Sequence, residues 1–140
     1  MILHCNFEEL GALRKGANAL LNEDSGGNAP VAAPPECRAE VEALLPRLSG
    51  DITMETLSDQ RGVQKAVLAI VNRLKEEMDS GILATHPAEE TAVSSYFLYA
   101  HALFVLHRLV ELGQEMEALI EVMTGAPPSP ELAATFRFPD

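Results

Sequence analysis

The chain has no tryptophan, and its few Phe and Tyr bring the aromatic share to only 5%. A core in a 140-residue chain must then be filled mostly by smaller side chains, and apolar residues supply 47% of the sequence. Valine and isoleucine are fewer than leucine and alanine, which favours helix over strand. Bases are scarce too: 10 Lys and Arg stand against 21 Asp and Glu, for a formal net charge of −11. Such a surface repels phosphate backbones and anionic membranes, so neither nucleic acid nor a lipid surface is an expected partner. A basic protein surface is compatible with it.

Long hydrophobic runs are missing. The longest uninterrupted one is Ala66 to Val71, and the longer stretch Tyr96 to Leu106 is broken by His101. Both fall far short of the roughly 20 residues a spanning helix needs, so no transmembrane segment is expected. The opening MILHCNFEE lacks a basic region and carries an early acid pair, unlike a signal peptide. Two cysteines, Cys5 and Cys37, occur without CxxC spacing. A cytoplasmic protein with reduced thiols is the default expectation.

Catalytic signatures are also wanting. No GxSxG, P-loop, GxGxxG or HExxH motif occurs. His101 and His107 are six apart, about 120° around one helix, and so cannot chelate one ion together. His4 lies at the chain start and His86 in a loop, so no metal or other cofactor is expected. Cys5 follows His4, but neighbours in sequence rarely present a thiol and its base to each other. Cys37 falls on an apolar stripe and reads as a small core residue. Glu89 and Glu90 suit the first turn of a helix, and Glu76 and Glu77 read as a solvated face.

What the chain does have is helical periodicity. Asn6 with Glu9 makes an approximate capping box, followed by the stripe Phe7, Leu10, Leu13, Ala17, Leu20 and Leu21. Asn22 to Pro34 is a loop by composition, and the expected most mobile internal segment. Pro35 opens a second helix with the stripe Cys37, Val41, Leu44, Leu45 and Leu48, ended or kinked at Pro46. Ile52 to Met54 reads as a short extended piece with which Met1 to His4 could pair. A third helix runs from about Leu57 to Ser80 on Val63, Val67, Ile70, Val71, Leu74 and Met78, with Gly81 as its stop. Arg73–Glu77 and Lys75–Asp79 are placed on its outside.

The fourth helix should be capped by Thr85 or His86, start at Pro87 and end at Thr124–Gly125. Pro127–Pro128 prevents continuation, and Ser129–Pro130–Glu131 signals about one further turn. Phe136 and Phe138 then lie on one edge of an extended tail, which either folds back and covers the body, the preferred reading, or docks on a partner groove or sheet edge. The fourth helix carries two apolar stripes. One is Leu98, Ala102, Val105, Leu109, Leu112, Met116, Leu119 and Met123; the other is Ala92, Tyr96, Tyr99, Leu103, Leu106 and Val110. Residues 96–110 therefore read as a buried central helix. Beyond Val110 a single seam remains, flanked by Glu111, Glu115, Glu117 and Glu121.

These elements predict an all-α fold in one domain over residues 1–140. It is a bundle of four main helices built on a long antiparallel hairpin of the third and fourth, with a very short extended segment near the N-terminus. Residues 22–34 form a flexible loop and 125–140 a turn and extended tail. The expected function is a non-catalytic protein-interaction or regulatory module. It would be a homodimer through Leu109, Leu112, Met116, Leu119 and Met123, with Phe136 and Phe138 as further partner-binding residues and a basic protein as a possible second partner. The alternative is a small-ligand-binding bundle, or an enzyme without a recognisable motif, with a pocket near Tyr96, Tyr99 and His101.

Overall fold

The chain enters through a two-residue strand, β1 (Ile2–Leu3), which pairs antiparallel with β2 (Ile52–Thr53). Ile2 stands opposite Thr53 and Leu3 opposite Ile52. The Met1 ammonium donates to Met54 O at 2.9 Å, and Met54 N–H donates back to Met1 O at 2.7 Å. So short a ladder is marginal alone. It persists because Leu3, Ile52 and Met54 are buried beneath it. The computed structural model describes residues 1–21, 35–83 and 89–138, with side chains for 1–21, 37–80 and 94–138. The expected loop over 22–34 and the expected cap and start at 85–87 lie outside the described residues.

Helix α1 (Phe7–Leu21) begins on the capping box foreseen for it. Asn6 Oδ1 accepts from Glu9 N–H at 2.8 Å, and Glu9 Oε1 accepts from Asn6 N–H at 2.9 Å. Helix α2 (Pro35–Leu44) passes at Pro46 into a 3-10 turn, Leu45–Arg47. Thr56 Oγ1 accepts from Asp59 N–H at 3.0 Å and caps α3 (Leu57–Leu83). Gly81 does not stop α3, which continues through it to Leu83. A glycine weakens a helix by about 1 kcal/mol relative to alanine but leaves its hydrogen-bond ladder intact. Helix α4 (Glu89–Thr124) ends where Gly125 takes φ +70° and donates its N–H to Glu121 O at 2.9 Å. That left-handed cap reverses the chain. Helix α5 (Pro130–Thr135) follows, with Ser129 Oγ accepting from Leu132 N–H at 3.2 Å.

The architecture is an all-α bundle on the α3–α4 hairpin, with α1 and α2 packed across it. Two small-residue contacts set how closely the helices approach. Gly16 of α1 lies against α3 so tightly that a Cβ there would sit 2.4 Å from Ile70 Cγ2. Gly113 of α4 lies over Gln60 of α3, where a Cβ would sit 2.7 Å from Gln60 Nε2. Gln60 is almost fully buried, and its amide donates to Leu109 O at 2.7 Å and to Gln64 Oε1 at 2.8 Å. A buried amide with its donors used tolerates the interior; one without partners would not.

The core divides in two. The larger cluster joins Leu10, Leu13, Ala17, Leu44, Val67, Ile70, Leu74, Ala102, Val105 and Leu109. The smaller cluster, at the other end of α4, joins Leu57, Met116, Ile120, Ala133 and Phe138, with Met1, Leu119, Leu132 and Phe136 around them. The tail closes this second cluster. Phe138 N–H donates to Glu55 O at 3.1 Å, Arg137 forms a bridge with Thr56 and pairs with Glu55 at 2.7 Å. The Phe136 and Phe138 rings meet edge to face at 5.3 Å.

Candidate functional site

Three regions bear on function: a polar junction at the start of the chain, the C-terminal half of α4, and its N-terminal half. The polar junction is built around Arg108. Its guanidinium donates to Glu9 Oε2 and Oε1, both at 2.8 Å, and to His4 O at 3.0 Å. Thus the capping residue of α1 is also the anchor of α4. The Glu9 side chain is only 6% exposed. Burial pushes its carboxyl pKa up, but the Arg108 hydrogen bonds, the Asn6 N–H and the Arg108 and His101 charges together bring it below the usual carboxylate value. Hydrogen bonding to Glu9 raises Arg108 in turn.

Asp51 ties the strands into the same junction. It accepts from Cys5 N–H at 3.2 Å and pairs with His4 Nδ1 at 2.9 Å, and these contacts lower its pKa, the His4 bond most. Cys5 is half-buried, and burial is the largest cause of its raised pKa. A thiol held up in this way is a poor nucleophile near neutral pH. The junction is therefore a clamp between β1, α1 and α4, and sequence spacing could not reveal it. Glu9 and Arg108 lie 99 positions apart. A groove of about 220 Å³ beside it is lined by Ile2, His4, Arg108, Glu111, Leu112 and Glu115.

The C-terminal half of α4 does not offer the expected seam. Leu109 and Met116 are fully buried in their own chain, Leu112 and Leu119 are half-buried, and Met123 is exposed. Phe138 is buried over Met116 and Ile120, and Phe136 is half-buried beside it. The physical reason is the Gly125 reversal, which folds α5 and the tail back over the stripe. Of the acidic flank, Glu111, Glu115 and Glu121 are exposed, and Glu117 pairs with Arg61 at 3.3 Å. On α3, Arg73 pairs with Glu77 as foreseen, yet its side chain is only 12% exposed rather than outside. Glu76 is half-buried, with one carboxylate oxygen buried and without a hydrogen bond among the described residues.

The N-terminal half of α4 is the reverse of the expectation. Residues 96–110 are not a helix covered on two sides. Tyr96, Phe97 and Phe104 are 63%, 47% and 53% exposed, and Tyr99, Leu103, Leu106 and Val110 are only half-buried. Of the second stripe's described residues only Tyr96 is exposed, while Tyr99, Leu103 and Leu106 pack along the edge of the larger core; the exposed Phe97 and Phe104 belong to neither stripe. His101 is stacked between Phe97, at 4.1 Å between centroids, and Phe104, at 5.9 Å, with Nδ1 2.8 Å from Phe97 O. Tyr96 and His101 are about 140° apart around the helix, so Tyr96, Tyr99 and His101 do not converge on one cavity. Grooves of about 370, 260 and 220 Å³ are lined by other residues.

This outer face has a second property. From Thr91 to His107 the sequence contains no Asp, Glu, Lys or Arg, in a chain of net charge −11. On α3, Arg61 reaches Glu117 of α4, and Leu68 is 46% exposed. Among the described residues no group of three or more His, Cys, Asp or Glu is placed to hold a metal ion, and no helix is long and apolar enough to cross a membrane. No protein-family model, curated protein or solved structure matches the chain.

Proposed function

We propose that this protein is a non-catalytic protein-interaction module that self-associates as a homodimer through the outer face of the first half of α4. The observation that carries the reading is the coincidence of exposed aromatic side chains with a charge-free stretch. Monomeric proteins rarely leave contiguous apolar surface of this kind uncovered. Charge does not select a second copy, but it selects where one would dock. Two chains of net charge −11 repel over most of their surfaces, and Thr91 to His107 is where they meet with least Coulomb cost. The face would bury less than the roughly 800 Å² per partner of a standard interface, so the pair is weak. The free cysteines Cys5 and Cys37 are in keeping with a reducing, cytoplasmic setting.

Sedimentation velocity across a concentration series tests this. The wild-type chain should pass from monomer to dimer with a Kd on the order of 10–100 µM. A Tyr96→Ser, Phe104→Ser double variant should remain monomeric throughout with an unchanged far-UV spectrum. Added salt should strengthen the dimer, because it screens like charges. Docking of a basic partner on Glu111, Glu115 and Glu121 would instead weaken with salt. A wild-type chain that stays monomeric up to about 1 mM, an order of magnitude above the expected Kd, overturns the self-association reading.

A further inference from the structure

We infer that the groove between β1 and α4 docks an extended basic segment of a partner protein, which adds to β1 as a third strand and sets a lysine or arginine against Glu111 and Glu115. This surface is separate from the aromatic face of α4, and its use does not depend on self-association. Met1 and Met54 exchange both of their backbone hydrogen bonds, at 2.9 and 2.7 Å. Exchanging and non-exchanging pairs alternate along an antiparallel ladder, so the next pair, Ile2 and Thr53, exchanges none. The N–H and C=O groups of these two residues point away from each other. Accordingly, Thr53 O accepts from Arg47 on the far side of β2. Ile2 N–H and O face the open edge of β1, and neither has a partner among the described residues. A bare donor and acceptor on a strand edge are a template for a further strand.

Helix α4 stands across that edge. His4 O, directed to the same side as Ile2 O, accepts from Arg108 at 3.0 Å. Arg108 thereby closes one end of the edge and leaves Ile2 as its open position. Ile2 and Leu3 line the groove of about 220 Å³ together with Glu111, Leu112 and Glu115. That is below the roughly 300 Å³ at which small-molecule pockets begin, so a side chain is the better measure of its occupant. Charge selects the side chain. Glu111 and Glu115 are exposed, one turn apart, and have no ion pair among the described residues. Like charges so placed repel, and a cation between them relieves the repulsion. Of the other polar side chains in the groove, Arg108 is held by Glu9 at 2.8 Å and His4 by Asp51 at 2.9 Å. The apolar wall of Ile2, Leu3 and Leu112 suits the aliphatic stem of a lysine or arginine. A residue opposite Ile2 shares the outward face of Ile2, and its neighbours point, as Leu3 does, toward α4. The base therefore stands one position from the paired residue. A net charge of −11 on the chain draws such a segment in.

The probe is the peptide acetyl-Val-Lys-Val-Lys-Val-amide, titrated into the isotope-labelled full-length chain and followed by amide NMR shifts. Its central valine would face Ile2, with both lysines on the α4 side. The amides of Ile2, Leu3, Glu111 and Leu112 should shift in a saturable way, and added salt should weaken binding. The same peptide with glutamate in place of lysine should not bind. Glu111→Gln together with Glu115→Gln should weaken binding by at least about tenfold. N-methylation of the central valine removes a backbone donor and keeps both charges, and should cost about as much. Ile2→Pro removes the outward N–H without touching a ladder bond, because β1 makes those at Met1 and Leu3, and should also weaken binding with an unchanged far-UV spectrum. Strand addition is overturned if the lysine peptide shifts no amide of β1 up to about 5 mM, or if the N-methylated peptide binds equally well. It is likewise overturned if the glutamine variant keeps full affinity, or if putrescine competes as well as the peptide, which would make the groove a site for small cations only. Sedimentation of the chain alone is unaffected by any of these results, so the failure of either reading is seen separately.

Discussion

Replacing Arg108 by methionine tests the polar junction most sharply. The change keeps much of the side chain's apolar stem and removes the guanidinium that holds Glu9 at 2.8 Å through both carboxylate oxygens. Glu9 would be left 6% exposed with the Asn6 N–H as its remaining described partner. Breaking a buried pair by removing one member costs about 3–5 kcal/mol. Arg108 is itself 39% exposed, so solvent already screens part of the interaction and the low end, about 2–3 kcal/mol, is expected. That is a large share of the roughly 7–20 kcal/mol a chain of this length has in hand.

The pH dependence identifies the cause. In the wild type the folded Glu9 pKa lies below its ordinary value of 4.5, so its stabilisation is present above that value and is lost as pH falls through the depressed one. In the variant, burial is opposed only by the Asn6 N–H and the His101 charge, so the folded pKa rises from its depressed value and the advantage of the charged form above pH 4.5 shrinks or is lost. Urea unfolding at a series of pH values should therefore show a wide gap between wild type and variant at pH 7.5 that narrows steadily toward pH 4.5. Adding Glu9→Gln should recover about half of the loss or more, since glutamine also serves in a capping box and carries no charge to strand. A gap below about 1 kcal/mol, or one that does not change with pH, would refute the reasoning.

Gly16→Ala should destabilise by about 1–2 kcal/mol despite a helix-propensity gain of up to about 1 kcal/mol, because the new Cβ meets Ile70 Cγ2 at 2.4 Å; thermal unfolding would show a lower Tm, and an unchanged or higher Tm would mean that α1 and α3 separate freely. Phe138→Ala should open the smaller core without melting the larger one. Hydrogen–deuterium exchange would then show amides of Leu132 and Phe136 losing protection while those of Leu13 and Ile70 keep it, and uniform loss would show the two cores to be one cooperative unit.

How much of this was legible in the residues differs from place to place. The Asn6–Glu9 box, the break at Pro46, the α3–α4 hairpin and the Ser129 cap all rest on neighbours a few positions apart or on short links, whereas the pairing of Ile2–Leu3 with Ile52–Thr53 spans about fifty positions and was read only from two short extended pieces. Local chemistry decides the near-neighbour features, so spacing alone finds them. The candidate site was legible only as a list of side chains. The two apolar stripes of α4 were located, but the seam after Val110 was expected bare and is covered, and the bare aromatic surface of Phe97 and Phe104 lies on neither stripe. A hydrophobic pattern tells that a face is apolar and leaves open what lies against it. The tail was expected to fold back, but not onto which surface: once Phe138 is seated on Met116 and Ile120, the C-terminal seam is satisfied within the chain, and the aromatic face is left.

The sequence by itself determined that this is an acidic, tryptophan-free helical chain, where most of its helices begin and end, and that α4 carries more apolar surface than one neighbour covers. Those are properties of periodicity, capping and composition, which act over a turn or two. Only the tertiary structure decided that Glu9 and Arg108, 99 positions apart, form one clamp, that Gly16 and Gly113 set the distances between helices, and that Tyr96, Phe97 and Phe104 face outward. Each of these depends on which surfaces meet after the chain has folded back on itself, and burial is a property of the pair of surfaces rather than of either alone.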